Sequence, residues 1–262
     1  PFPEGGSHAI TRAMAGYFES LGGEIELERP ISDLGDLPTS KVIFFNTTPA
    51  QLLDIAGNYV PDKYARKVSN FEYGAGVFKL DLALSEPIPW RDKECGKAGT
   101  VHVGGTLEEI VDSEQCLKNN THPEMPYVLV AQQSLFDDTR APDGKHTCWA
   151  YCHVPNGSER DMTEPILKQI ERFAPGFRDT IIGRHSMNTD AMENYNANYI
   201  GGDINGGKQD ITQLFTRPAG LFDPYHVPNT NLFISSSSTP PGGGVHGMCG
   251  YHAAQSALKE FG

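Results

Sequence analysis

The 262-residue sequence predicts an α/β unit interrupted by an inserted mixed α+β domain, on three observations. A short unbroken apolar run near the beginning and another near the end are each followed by a helix-start signal, as in a covered parallel sheet. Between them the pattern changes to alternating apolar and polar residues, which belongs to antiparallel strands with one wet face. A run of glycines then joins the last predicted strand to the last predicted helix.

Taken in order, Ser7 is placed to cap a helix whose Ile10, Met14, Tyr17, Phe18 and Leu21 share one face, and Gly22 with Gly23 stops it. "EIELE" sets Ile25 and Leu27 against acids and predicts a half-exposed strand. "KVIFF" (41–45) predicts a strand covered on both faces, and "NTTPAQ" after it carries a capping box: Thr48 as cap, Pro49 at the first helical position, Gln51 reaching back. In "GVFKLDLALSEPIPW", Phe78, Leu80, Leu82 and Leu84 alternate with Lys79, Asp81 and Ser85. "YVLVAQQSL" (127–135) and "HTCWAYCHV" (146–154) predict further strands, and Ile166, Ile170 and Phe173 fall in register on a helix over 162–173. "NLFISSSS" (231–238) closes the pattern as a strand and "MCGYHAAQSALKE" (248–260) as a helix thin enough, with Ala253, Ala254 and Ala257, to lie tightly on a sheet. The predicted division is therefore 1–55, 56–221 for the inserted domain, and 222–262.

Composition narrows the function. Thirty-three acids against 21 Lys and Arg give a net charge of −12, and no basic patch is present, which argues against nucleic-acid binding. No apolar run approaches a membrane span, and the first residues do not read as a signal peptide. Five scattered cysteines form no disulfide framework, so a cytoplasmic setting is expected. The absence of an initial Met reads as a fragment or a processed product.

Four features invite chemistry. His146, Cys148, Cys152 and His153 invite a metal, but on one strand His146, Cys148 and Cys152 face one way and His153 the other, so no metal site is expected. "SSSS" lacks the G-x-S-x-G elbow of a serine nucleophile. The nine histidines and many carboxylates single out no catalytic residue. Gly242 to Gly247 satisfies G-x-G-x-x-G, yet too little chain follows to supply a second strand and an acid for the ribose. What remains is a glycine turn, where backbone can approach something large and flat, feeding a helix N-terminus that favours negative charge.

"FISSSSTPPGGGVHGMCGYHAA" resembles the C-terminal FAD-binding motif of the phytoene-desaturase-like flavoproteins, which include carotenoid desaturases and isomerases, retinol saturase and pyridine nucleotide-disulphide oxidoreductase-like proteins. "PEGGSHAITRAMAGYFESLGGEIELERPISDL" resembles their Gly-Gly, helix, Gly-Gly, strand segment. "RFAPGF" (172–177) and "GGDINGG" (201–207) resemble their substrate-domain stretches. The N-terminal strand and G-x-G-x-x-G of that family have no counterpart here.

This resemblance implies a partial FAD-binding, Rossmann-like unit with an inserted mixed-sheet substrate domain, the C-terminal portion of an FAD-dependent oxidoreductase. It places Gly242, Gly243 and Gly244, with Ser237 and Pro241 beside them, over the isoalloxazine. It places the backbone of Val245, His246 and Gly247 at the pyrimidine edge and Ile31, on the strand after the Gly-Gly helix, at adenine. The implied chemistry is hydride transfer between flavin and a largely apolar substrate in desaturation, saturation or isomerisation. FAD is expected to be absent from the chain by itself, leaving it inactive. Implied partners are an apolar small molecule and the missing N-terminal half, with peripheral membrane contact left open. The alternative is a flavin-free binding module for an apolar ligand or partner.

Overall fold

The computed structural model describes residues 3–220 and 222–262. Helix α1 (Ser7–Ser20) opens the chain with Gly6 as its N-cap. Ser7 is the first helical residue and makes no capping bond, which corrects its expected role. The apolar stripe of α1 exists as predicted, but no residue of the helix is buried. Residues 24–28 form no strand: among the described residues none pairs with them, and Glu28 adopts a positive φ of 58° that breaks an extended run.

Strand β1 (Ile43–Phe45) and helix α2 (Pro49–Ala56) follow as expected, with the Thr48 N–H donating to Gln51 Oε1 at 3.1 Å. Phe44 is exposed, so β1 is covered on one face only. After α3 (Asp62–Val68) comes β2 (Gly76–Leu84), with the predicted alternation. Strand β3 (Thr100–Val103) and helix α4 (Leu107–Lys118) add to the predicted elements, although Thr106 and Glu109 form a reciprocal capping box legible in "TLEE". Next come β4 (Val128–Ala131), β5 (His146–Val154), α5 (Thr163–Phe173), β6 (Ile181–Met187), α6 (Thr189–Tyr195) and α7 (Ile211–Leu214). Strand β7 (Leu232–Ile234) and helix α8 (Met248–Phe261) end the chain as predicted.

Two compact units divide these elements: residues up to 29 with 77–188, and 30–76 with 189–262. In the first, a five-stranded sheet of order β3-β4-β5-β2-β6 buries Phe78, Leu80, Leu82 and Leu84 against Ile166 and Ile170 of α5. Cys148 and Cys152 lie in the same core, while His153 is on the opposite face and half-exposed. Among the described residues no group of three or more His, Cys, Asp and Glu is placed to hold a metal ion.

In the second unit β1 and β7 pair in parallel, Ile43 opposite Leu232 and Phe45 opposite Ile234. Leu52 and Ala56 of α2, and Tyr64 and Val68 of α3, share one apolar cluster with Leu232 and Ile234. Each fully buried side chain of this kind contributes on the order of 1.5–3 kcal/mol, which holds three-residue strands together where their few ladder bonds would not. That cluster also moves the boundaries. Residues 56–76 and 189–220, expected with the inserted domain, pack with the parallel pair instead.

Burial pushes the thiols of both Cys148 and Cys152 up to about 12, with Asp81 adding to the effect at Cys148. At neutral pH both stay protonated and inert. A thiol-exchange reagent is therefore expected to modify the half-buried Cys95 and Cys116 quickly, and Cys148, Cys152 and the buried Cys249 only after unfolding. Fast modification of Cys148 or Cys152 in the folded chain contradicts their place in the core.

Candidate functional site

The site forms where β1 and β7 end. Both strands run in the same direction, and each passes through a short polar segment into a helix N-terminus, β1 into α2 and β7 into α8. Ligands of open α/β sheets sit beyond the carboxyl ends of parallel strands, where helix amides and dipoles converge. Here that place is a cleft of about 360 Å³. From the β1 side it is lined by Asn46 and Thr48, from the β7 side by Ser236, Ser237, Gly243 and Gly244.

The turn between β7 and α8 is built by its own backbone. The Ser235 N–H donates to Phe45 O at 2.9 Å, prolonging the parallel ladder. Thr239 N–H and Oγ1 both donate to Ser236 O, at 3.0 and 2.8 Å, and Gly242 N–H donates to Thr239 O at 2.8 Å, so two tight turns follow in succession. Gly244 stands at φ +144°, a conformation that L-residues rarely adopt, and a Cβ there would meet the His246 ring at 2.7 Å. Helix α8 begins after Gly247 in the left-handed conformation, with the Met248 N–H donating to His246 Nδ1 at 3.0 Å. Val245 is 96% exposed.

Beneath the turn lie two buried charged residues. The Asp203 carboxylate, 0% exposed, accepts from Gly74 N–H at 2.7 Å, Gly207 N–H at 2.8 Å and Asn205 N–H at 2.7 Å. The Arg217 guanidinium, in a residue 1% exposed, donates to Ser237 O at 2.9 Å, Gly207 O at 3.3 Å and Lys208 O at 3.1 Å. Burial pushes the Arg217 pKa down, and the nearby Asp203 charge opposes this. Asp203 thus fixes the loop 203–207, and Arg217 ties that loop to the glycine turn. Ser238 Oγ adds a bond to Gly206 O at 2.8 Å. The opposite wall is fixed by Asn198, which accepts from Thr48 N–H at 3.1 Å and donates to Asn46 O at 3.0 Å.

Of the residues singled out from the sequence, Ser237, Gly243, Gly244 and Val245 line the cleft. Gly242 is buried behind it, and Pro241, His246 and Gly247 are exposed around the turn. Ile31, itself half-buried, lies in an irregular and mostly exposed segment, not on a strand, and is not among the residues lining the cleft. Sequence reasoning misses Asp203, Arg217, Asn198 and the lining role of Thr48. "NTTPAQ" reads only as a helix start, "GGDINGG" contains Asp203 without marking it, and nothing in the sequence points to Arg217.

No family model matches the chain. It is 21% identical over 300 residues to the rat pyridine nucleotide-disulfide oxidoreductase domain-containing protein 2, covering 99% of this chain and 51% of that protein. It is 23% identical over 286 residues to the lycopene-forming phytoene desaturase of Pseudescherichia vulneris, covering 98% of this chain and 55% of the desaturase. An oxidoreductase from Methanosarcina mazei shares its fold with a TM-score of 0.59 at 15% identity, over 98% of this chain and 55% of that structure. The chain thus spans about half the length of the proteins it matches over its whole extent.

Proposed function

We propose that this chain, homologous to oxidoreductases that include a phytoene desaturase, is the C-terminal portion of an FAD-dependent oxidoreductase acting on a largely apolar substrate. The observation that carries this reading is the glycine turn at the ends of two parallel strands, held from below by Arg217 and Asp203 and opening on a cleft with little side-chain bulk on that wall. A planar, hydrogen-bonding ring system suits such a wall. Gly242 to Gly244 would lie against it, and the backbone of Val245 to Gly247, with the positive end of α8, would face its electron-rich edge. Bound flavin supplies hydride exchange in desaturation, saturation or isomerisation. The chain's own residues hold and orient: Asp203 and Arg217 fix the wall, and Asn198 and Thr48 fix the facing one.

The proposal extends to a cytoplasmic setting and to partners: an apolar small molecule, the N-terminal half that such relatives possess, and a membrane surface touched peripherally. No described helix is long and apolar enough to cross a membrane.

FAD titration followed by flavin fluorescence tests the reading. The 262-residue chain alone is expected to bind FAD weakly, whereas the protein expressed from its complete reading frame is expected to purify yellow. There Gly244→Val should lower flavin content per folded molecule and slow turnover by roughly 100-fold, the cost of a misplacement near 1 Å. If the turn only connects strand to helix, the same substitution lowers the melting temperature and leaves flavin content and turnover unchanged. That outcome, or a colourless complete protein, sinks the proposal.

A further inference from the structure

The first unit holds a second hollow, of about 650 Å³, at the outer edge of its sheet. Its walls are apolar: Trp90, Val101, Ile110 and Phe173 line it. Gly104 keeps it open and closely walled, since a Cβ there would meet Tyr127 at 2.6 Å and Ile110 at 2.7 Å. Two cations, Arg91 and Lys93, line the same hollow in a chain whose net charge is −12. One acid, Asp92, stands between them and keeps its charge; one of its oxygens accepts from Glu94 N–H at 3.0 Å and caps a short helical turn over Lys93–Lys97, so this rim carries two cations to one anion.

His102 Nδ1 and the Tyr127 hydroxyl are hydrogen-bonded. Either group of this pair can donate, so His102 presents a polar edge that gives or takes a hydrogen bond according to its tautomer. The lining thus combines an apolar body with two cations against one carboxylate. That combination selects a ligand that is apolar along its length and anionic at one end.

We propose that this hollow is a binding site for an apolar carboxylate, distinct from the cleft at the parallel strands and independent of any flavin. A hydrocarbon or aryl body fills the space between Trp90, Val101, Ile110 and Phe173. Its carboxylate meets Arg91 and Lys93.

The site carries its own reporter. Trp90 and Trp149 are the only tryptophans, so Trp149→Phe leaves Trp90 alone to emit. Octanoate titrated into this variant is expected to shift Trp90 emission to the blue saturably as water leaves the ring. Arg91→Gln with Lys93→Gln is expected to weaken binding about tenfold, from two partly exposed charge contacts. Octanol, matched in length but neutral, should bind about tenfold more weakly than octanoate to the parent and no differently to the double variant. Circular dichroism confirms that each variant is folded, and calorimetry on the unsubstituted chain replaces fluorescence if Trp149→Phe is not. A folded chain with no saturable response to octanoate, equal affinity for octanol, or undiminished octanoate binding in the double variant overturns the proposal. None of these outcomes bears on the flavin reading, because the cleft and its glycine turn take no part in the measurement.

Discussion

Asp203→Ala is expected to destabilise the second unit by roughly 3 kcal/mol or more. One fully buried carboxylate satisfies three backbone N–H groups, those of Gly74, Asn205 and Gly207, each within 2.8 Å. Alanine removes all three acceptor contacts at once, and each buried donor left unpaired costs about 1–3 kcal/mol. Water entering the space recovers part of this, which places the expected loss near the lower end of the sum. Asp203→Asn keeps the shape but turns an amide nitrogen toward donors, so an intermediate loss is expected. The measurement is a urea midpoint read by circular dichroism, together with amide exchange at Gly74, Asn205 and Gly207. A loss below about 1 kcal/mol with these amides still protected shows that the carboxylate does not hold the loop.

Arg217→Met should cost about 2–3 kcal/mol and loosen the glycine turn. The methionine fills most of the volume but leaves the carbonyls of Ser237, Gly207 and Lys208 without their donors. The net cost is smaller than for Asp203 because removing a buried guanidinium also removes its own desolvation penalty. Arg217→Lys is expected to restore little, since an ammonium on a flexible stem cannot span carbonyls on two loops as the planar fork does. The double substitution with Asp203→Ala should fall short of the sum, because both residues hold the same loop through Gly207. Full additivity in that cycle, or rescue by lysine, refutes the latch.

Which parts of this architecture are readable beforehand follows from where the information lies. Strands β2 and β5, the helix over Thr163–Phe173 and the glycine turn before α8 are specified by local patterns, and the structure has them where those patterns put them. "EIELE" carries a strand pattern too, but a strand exists only with a neighbour, and among the described residues none pairs with Ile25 or Leu27. Domain limits are misplaced for a similar reason. Tyr64 and Val68 look like any helix face, and only their packing on Leu232 and Ile234 assigns them to the parallel pair. The cleft is half legible: glycines announce a close approach, whereas the work of Arg217 depends on carbonyls at 207, 208 and 237 that sequence cannot bring together.

The parallel pairing of β1 with β7 has a consequence for how the molecule comes to exist. Its two partners are Ile43–Phe45 and Leu232–Ile234, and the long continuous stretch 77–188 of the first unit lies between them. During synthesis that stretch emerges and can collapse on its own sheet before β7, the strand that pairs with β1, has been made. Closing so long a loop is entropically costly only in the logarithm of its length, but nothing rewards the closure until β7 arrives. The second unit is therefore assembled last and from both sides of its neighbour in the chain.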